Sequence, residues 1–392
     1  MRATASTMVS IIADDLTGAC DTGCLFAGSG PVGVVVEPVL PSADRPVIAV
    51  DTESRPLAPD EAARVVRAVA ARLKPRLGGV VFKKIDSTLR GAVGAELTAL
   101  LEGGPFAGAL VCPAFPAQRR VVRHGRLLVD SVPVHESPFG RDPAFRAATS
   151  EIAALLAAGA PVVPLGLDDV RAGREKIAHI LEQHRGAIVA ADAETDADLA
   201  SLAEALGAVP GTLAAGSAGL GRALSRALGL AGPAVTLPPG AARLVVVGSL
   251  HPASRAQLGA LTRAGMAGVT ADGDGHTDEA TAVAALAGGR PAFVASVTAP
   301  AARDAVARQV AQAAGRVIER ASPDLVMVTG GETAYALIQA LRPDRFDLLG
   351  APADGLALGR LTLAGGRQIP LLTKAGGFGA AGFFSSLLGG AS

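Results

Sequence analysis

The sequence predicts an α/β protein of two domains, each a mainly parallel sheet flanked by helices, with a ligand cleft between them. Three observations lead there. Short apolar runs alternate with longer amphipathic stretches, the signature of strands joined by helical crossovers. The runs are apolar on both faces, as strands covered by helices on each side must be. The pattern also stops at "GPAVTLPPG" (Gly232–Gly240) and then restarts, and 392 residues exceed the roughly 250–300 that one core usually serves.

In the first half, strands are expected at Val9–Ala13, Val32–Val36, Val47–Val50, Val80–Ile85, Gly108–Cys112, Val162–Leu165 and Ala187–Ala191. Helices are expected at Asp60–Leu73, Arg171–His184 and Asp196–Leu206. After the Pro/Gly stretch come strand Leu244–Val247, a helix around Ser254–Ala264, strand Ala292–Ala295, helix Ala301–Ala314, strand Leu325–Val328, helix Ala334–Leu341, strand Pro370–Thr373 and helix Ala380–Leu388. The domains are therefore assigned as 1–238 and 239–392. Segment Ala114–Phe145, rich in Arg, His and Pro, lacks helical periodicity and reads as a long excursion carrying a short β-hairpin.

Lys plus Arg and Asp plus Glu balance at 36 each, so charge gives no reason to expect a nucleic acid or an anionic membrane as partner. No apolar stretch approaches the roughly 20 residues a spanning helix needs. The apolar run at the N-terminus ends in two acids, unlike a signal peptide, and a cytoplasmic location is expected. Cys20, Cys24 and Cys112 are expected to be buried, inert thiols, and the six histidines show no ligand spacing.

Four groups of residues carry candidate chemistry. In "ADDLTGA" the adjacent acids Asp14 and Asp15 fall at the carboxyl end of the first strand, where ligands of open α/β sheets bind. One acid suffices to cap the helix that follows; two imply contact with a ligand. In "KKIDSTLRG" a strand runs into Lys83, Lys84, Asp86, Ser87, Thr88 and Arg90. Asp86 or Ser87 is expected to cap the next helix, whose N–H groups with Lys84 and Arg90 would form an anion site. Arg90 is expected to grip a carboxylate through two parallel hydrogen bonds. Arg55, in "DTESRPL" after the third strand, would add a second cation. In the second half, three strand-to-helix turns are rich in glycine and small hydroxyls: "VVVGSLHP" (Gly248, Ser249), "VMVTGGET" (Gly330, Gly331, Glu332, Thr333) and "LLTKAGGFG" (Lys374, Gly376, Gly377, Gly379). Three such turns after three strands suggest a platform on which backbone N–H groups cradle phosphate. "GSGPVG" matches G-x-G-x-x-G letter for letter, but it follows a helix and precedes a strand, so it is a helix stop. His251 is assigned to a turn or cap.

Taken together and in order, "ADDLTGA", "KKIDSTLRG", "VVVGSLHP", "VTGGETA" and "TKAGGFG" resemble the four-carbon acid sugar kinase family, whose members include threonate, erythronate and 3-oxo-tetronate kinases. The resemblance implies an N-terminal acid-sugar-binding domain and a C-terminal ATP-binding domain. Carried over by motif, Asp14, Asp15, Arg55, Lys84, Asp86, Ser87, Thr88 and Arg90 would line the sugar-acid site. Ser249, Gly330, Gly331, Glu332, Thr333 and Gly376 would hold ATP, with Mg²⁺ carried by the nucleotide. Two stretches depart from the family pattern: Arg119-Arg120-Val121 after Phe115-Pro116, and "DTES" before Arg55.

The expected reaction is ATP-dependent phosphorylation of a terminal hydroxyl of a small sugar acid. Asp15 is the first choice for the catalytic proton acceptor and Asp86 the second. The rival expectations are a nucleotide-cofactor hydroxy-acid dehydrogenase and a non-catalytic sugar-acid-binding protein. A homodimer is expected only because two-fold dimers are the commonest assembly.

Overall fold

The computed structural model describes residues 8–36, 44–141, 147–271, 279–296 and 303–388. The chain divides into two compact units. One comprises Met1–Gly30 and Arg45–Gly232, the other Pro31–Asp44 and Pro233–Ser392.

In chain order the first strands are β1 (Val9–Ala13), β2 (Val32–Val36), β3 (Val47–Asp51), β4 (Val80–Lys84) and β5 (Gly108–Cys112). A small antiparallel trio follows: β6 (Arg120–Arg123), β7 (Arg126–Val129) and β8 (Val132–Pro133). Then come β9 (Val162–Leu165), β10 (Ile188–Ala191) and β11 (Thr212–Gly216). In the first unit the strands run β3-β1-β4-β11-β5-β10-β9, every pair parallel. Nearly all residues of β1, β3, β4, β5 and β11 are buried, as helices on both faces require. From β1 the chain moves to β3 on one side and then to β4 on the other. This reversal makes the carboxyl ends of β1 and β4 a topological switch point, where open α/β sheets bind ligands.

The hairpin expected between Ala114 and Phe145 is β6–β7. Its turn is built by His124 and Gly125, both at positive φ, and the Asp192 carboxylate accepts from their N–H groups at 2.7 and 2.9 Å. Part of the expected excursion, residues 142–146, lies outside the described residues.

The second unit contains β12 (Arg243–Val247), β13 (Ala267–Ala271), β14 (Ala292–Ser296), β15 (Leu325–Thr329), β16 (Arg345–Gly350), β17 (Leu356–Thr362) and β18 (Gln368–Lys374). The order β13-β14-β12-β15-β18 is parallel. β17, β16 and β2 then extend it in antiparallel fashion. Residues of β2, counted with the first half in the sequence reading, thus pair in this sheet, Asp347 with Gly33 and Leu348 with Val32. Val245, Leu258, Met327, Leu372 and Phe384 are among the residues of its buried core. Here too the chain reverses direction across the sheet, between β12 and β15. Among the described residues no helix is long and apolar enough to cross a membrane.

Two local expectations change. The helix after β4 begins at Val93, not at Asp86 or Ser87, and its N-cap residue Ala92 offers no side-chain bond. Leu89 at φ 57° and Gly91 at φ 94° hold the chain out of the helical region, so residues 86–91 form a turn instead. "GSGPVG" runs from the short helical turn Ala27–Ser29 into β2, with Gly30 at φ 124° between them.

Candidate functional site

At the switch point of the first unit, one arginine answers both adjacent acids. Arg55 Nε and Nη2 donate to Asp14 Oδ2 and Oδ1 at 2.9 and 2.7 Å, and Nη1 and Nη2 donate to Asp15 Oδ2 and Oδ1 at 2.8 and 2.7 Å. Asp14 is 2% exposed. Burial pushes its carboxyl up, but the charge and hydrogen bonds of Arg55, with Lys83 and Lys84 behind, outweigh burial and hold it below the ordinary value. Asp15 is also the N-cap of helix Leu16–Leu25, accepting from Gly18 N at 2.9 Å and Thr17 Oγ1 at 2.7 Å. Both oxygens of Asp15 therefore accept two hydrogen bonds each. A Cβ on Gly18 would stand 2.5 Å from Asp15 Oδ1 and 3.2 Å from Lys84 Nζ, so only glycine lets these groups approach.

The turn after β4 forms the second half of the cluster. Arg90 Nε and Nη2 donate to Asp86 Oδ2 and Oδ1 at 2.8 and 2.9 Å. The bidentate grip expected for a ligand carboxylate is thus made on Asp86. Thr88 donates through its N–H to Asp86 Oδ2 at 3.1 Å and also through its hydroxyl. Burial acts upward on Asp86, yet Arg90, Arg55 and Arg120 together hold it well below the ordinary carboxylate range. Arg120, from β6, reaches this turn: its Nη1 meets the Ser87 hydroxyl and its guanidinium lies 4.8 Å from the Phe139 ring centroid. Arg120 Nε is buried with no hydrogen-bond partner. The sequence reading noted Arg120 only as part of a departure from the family pattern. Its arrival at Ser87 depends on a 33-residue separation that no local pattern reveals.

Lys83 and Lys84 diverge, as alternate strand positions must. Lys83, fully buried, pairs with Glu96 at 2.7 Å, and Glu96 also receives the Ser54 hydroxyl. Thr52 Oγ1 lies 2.7 Å from Ser54 Oγ and 2.8 Å from Ala13 O, and its single proton serves one of the two. This buried network ties together the ends of β1, β3 and β4 beneath the site.

Two carboxyls missed by the sequence reading complete the cluster. Burial first, then the charges of Glu53 and Asp15, push Asp51 well above the ordinary range. Glu53, at a left-handed φ of 45°, accepts from Leu16 N at 3.3 Å. Burial and the neighbouring Asp15 push its carboxyl up to about 7. The signal was legible as "DTE" at a strand's carboxyl end, but nothing in it fixed which acid burial and a neighbouring carboxylate would push up.

In the second unit, Ser249, Gly330 and Gly376 converge. Cβ atoms built on Gly330 and Gly376 would lie 3.1 Å from Ser249 Cβ and 2.6 Å from Ser249 Oγ. Gly330, at φ 96°, is the N-cap of helix Gly331–Leu341, so Glu332 and Thr333 lie in its first turn. His251 caps helix Pro252–Arg263, its Nδ1 accepting from Ala253 N at 3.2 Å. Among the described residues, no three His, Cys, Asp or Glu side chains group as metal ligands. The cysteines are buried, and burial pushes the Cys112 thiol up to about 12.

Comparison with known proteins agrees with this division of labour. Residues 9–224 match a sugar-binding N-terminal domain and residues 244–384 a nucleotide-binding C-terminal domain. The D-threonate kinase of Bordetella bronchiseptica is 37% identical over 95% of this chain and 94% of its own. The 3-oxo-tetronate kinase of Methylobacterium radiotolerans is 32% identical (98% and 99%), and the D-erythronate kinase of Heliobacterium modesticaldum 30% (94% and 93%). A crystal structure from Salmonella typhimurium LT2 shares the fold with a TM-score of 0.77 at 22% identity, covering 96% of this chain and 98% of its own. With both domain models matched and curated relatives aligned along nearly its whole length, the chain belongs to the four-carbon acid sugar kinase family.

Proposed function

We propose that this chain transfers the γ-phosphoryl group of ATP to a terminal hydroxyl of a four-carbon sugar acid. The observation that carries the reading is the cluster of Asp14, Asp15, Arg55, Asp86, Arg90 and Arg120 at the switch point of the unit that matches a sugar-binding domain. Carboxylates accept hydrogen bonds from sugar hydroxyls, and guanidinium and ammonium groups hold the acid's own carboxylate. Arg120, with its unpartnered Nε beside Ser87, and Lys84 suit the anionic end of the substrate. Ser249, Gly330–Thr333 and Gly376 suit the nucleotide, and Mg²⁺ is then held chiefly by its phosphates.

The proton acceptor is better assigned to Glu53 than to Asp15 or Asp86. Asp15 is locked to the Arg55 guanidinium, and Arg90 holds Asp86 well below the ordinary carboxylate range, which makes Asp86 a weak base. Glu53 sits beside Asp15 with a carboxyl near neutrality, the range in which a general base works best.

A coupled ADP-release assay over threonate, erythronate and 3-oxo-tetronate stereoisomers tests the reading. D-Threonate is the first substrate to try, because relatives carrying that name reach 37% identity. A folded preparation that binds ATP yet turns over none of the acids would overturn it. The dehydrogenase alternative predicts thermal stabilisation by NAD(P) instead of ATP–Mg²⁺. The relatives' names do not favour it.

A further inference from the structure

The loop after β18 is held from below. Lys374 Nζ donates to Ala375 O at 2.8 Å and Phe378 O at 2.7 Å. Ser254 Oγ donates to Gly376 O at 2.7 Å. Gln257 Nε2 lies 2.9, 2.9 and 3.2 Å from the carbonyls of Phe378, Gly379 and Ala380. Three acceptors around one atom fix which end of the Gln257 amide is nitrogen. Five consecutive or near-consecutive carbonyls thus point into the protein, towards side chains that are themselves buried.

In a trans peptide the C=O of one residue and the N–H of the next point in opposite directions. Turning the carbonyls of 375, 376, 378, 379 and 380 inward therefore turns the N–H groups of 376, 377, 379, 380 and 381 outward. None of those N–H groups donates to a backbone carbonyl, whereas Phe378 N, within the run, and Phe383 N, beyond it, do. Successive outward N–H groups make an anion-binding concavity.

Lys374 supplies a second, independent sign of an anion. It is 1% exposed, it meets two neutral carbonyls and the Phe383 and Phe384 ring faces, and among the described residues no carboxylate pairs with it. A buried cation without a counter-ion is costly, and a polyanion bound above it would lower that cost.

We infer that Ser254, Gln257 and Lys374 are positioning residues that hold loop 375–380 as a cradle of amide groups for the phosphates of the nucleotide. The inference rests on the proposed ATP-dependent reaction and names residues that act through the loop without touching the ligand. Neither Ser254 nor Gln257 belongs to a glycine-rich turn, so motif reading passed over both.

The test compares wild type with Gln257→Met, which keeps volume and removes the donor, and Ser254→Ala. Calorimetry gives Kd for ATP–Mg²⁺, and steady-state kinetics give KM for ATP, KM for the acid, and kcat. Released carbonyls let the peptides rotate, so Kd and KM for ATP should rise about tenfold or more while kcat and the acid's KM stay within about twofold. A folded Gln257→Met protein with wild-type ATP affinity overturns the inference. If Gln257→Met does not fold, Ser254→Ala decides by the same split. Wild type that binds no ATP overturns the nucleotide reading itself, and this inference with it.

Discussion

Lys374→Met should make the protein more stable at neutral pH while weakening ATP binding. Burial lowers the Lys374 amine from its ordinary 10.5 to about 7. The unfolded chain therefore holds a proton on this side chain between about pH 7 and 10.5 that the folded chain releases. Its cost to folding is absent above pH 10.5, grows as pH falls, and reaches full size near pH 7. Linkage puts that cost at about 4 kcal/mol at pH 7 and about 2 kcal/mol at pH 9. Against it stand the two hydrogen bonds to Ala375 O and Phe378 O. Both acceptors keep another donor, Phe378 N and Gln257 Nε2, so losing Lys374 orphans neither. Those two bonds are worth about 1–2 kcal/mol together, whatever the pH in this range. The variant should thus exceed wild type by about 2–3 kcal/mol at pH 7 and match it near pH 9. Urea unfolding of both proteins at the two pH values, at constant ionic strength, measures this. The change in the gap, about 2 kcal/mol, comes from the proton alone. An equal gap at pH 7 and pH 9 would refute the view of Lys374 as an uncompensated buried cation.

Four further outcomes are expected. Lys83→Met leaves Glu96 buried beside Ser54 and should cost about 3–5 kcal/mol in denaturant unfolding, most of it regained in Lys83→Met/Glu96→Leu. Arg55→Gln strands Asp14 in the interior and should cost a similar amount, about 3–5 kcal/mol, with Asp14→Asn partly restoring it. Glu53 must be ionised to accept a proton, so kcat/KM should climb with pH through about 7 and then level. In Glu53→Gln that limb should vanish and kcat fall about a hundredfold or more. Gly376→Ala places a methyl 2.6 Å from Ser249 Oγ and should raise KM for ATP while sparing KM for the acid, as initial-rate kinetics will show.

Most strands were legible because a buried strand is an apolar run of fixed length, a local property. β11 (Thr212–Gly216, "TLAAG") escaped because alanine and glycine carry no β-branched signal, although it is central to the first unit's sheet. β13, β16 and β17 escaped as well, and with the last two the antiparallel edge that takes in β2. The site residues were found as types at strand ends, yet their partners were not. Arg90 was expected to hold a ligand and holds Asp86; Arg55 was expected to be a second cation for the substrate and clamps Asp14 and Asp15. A carboxylate and a guanidinium 41 residues apart leave no mark of their pairing in either neighbourhood.

By itself the sequence determined the kinds of element, the placement of polar motifs at the carboxyl ends of strands, and membership of the family. These follow from side-chain periodicity and short-range backbone preference, which act over a few residues. The tertiary structure alone decided that β1 lies between β3 and β4, and hence that Asp14, Arg55 and Asp86 share one field. It also decided which carboxyl burial and its neighbours push up and which way the peptides of loop 375–380 face. Those outcomes depend on strand order and burial, because the energy of a charge or a peptide dipole is set by what is packed around it and not by its neighbours along the chain.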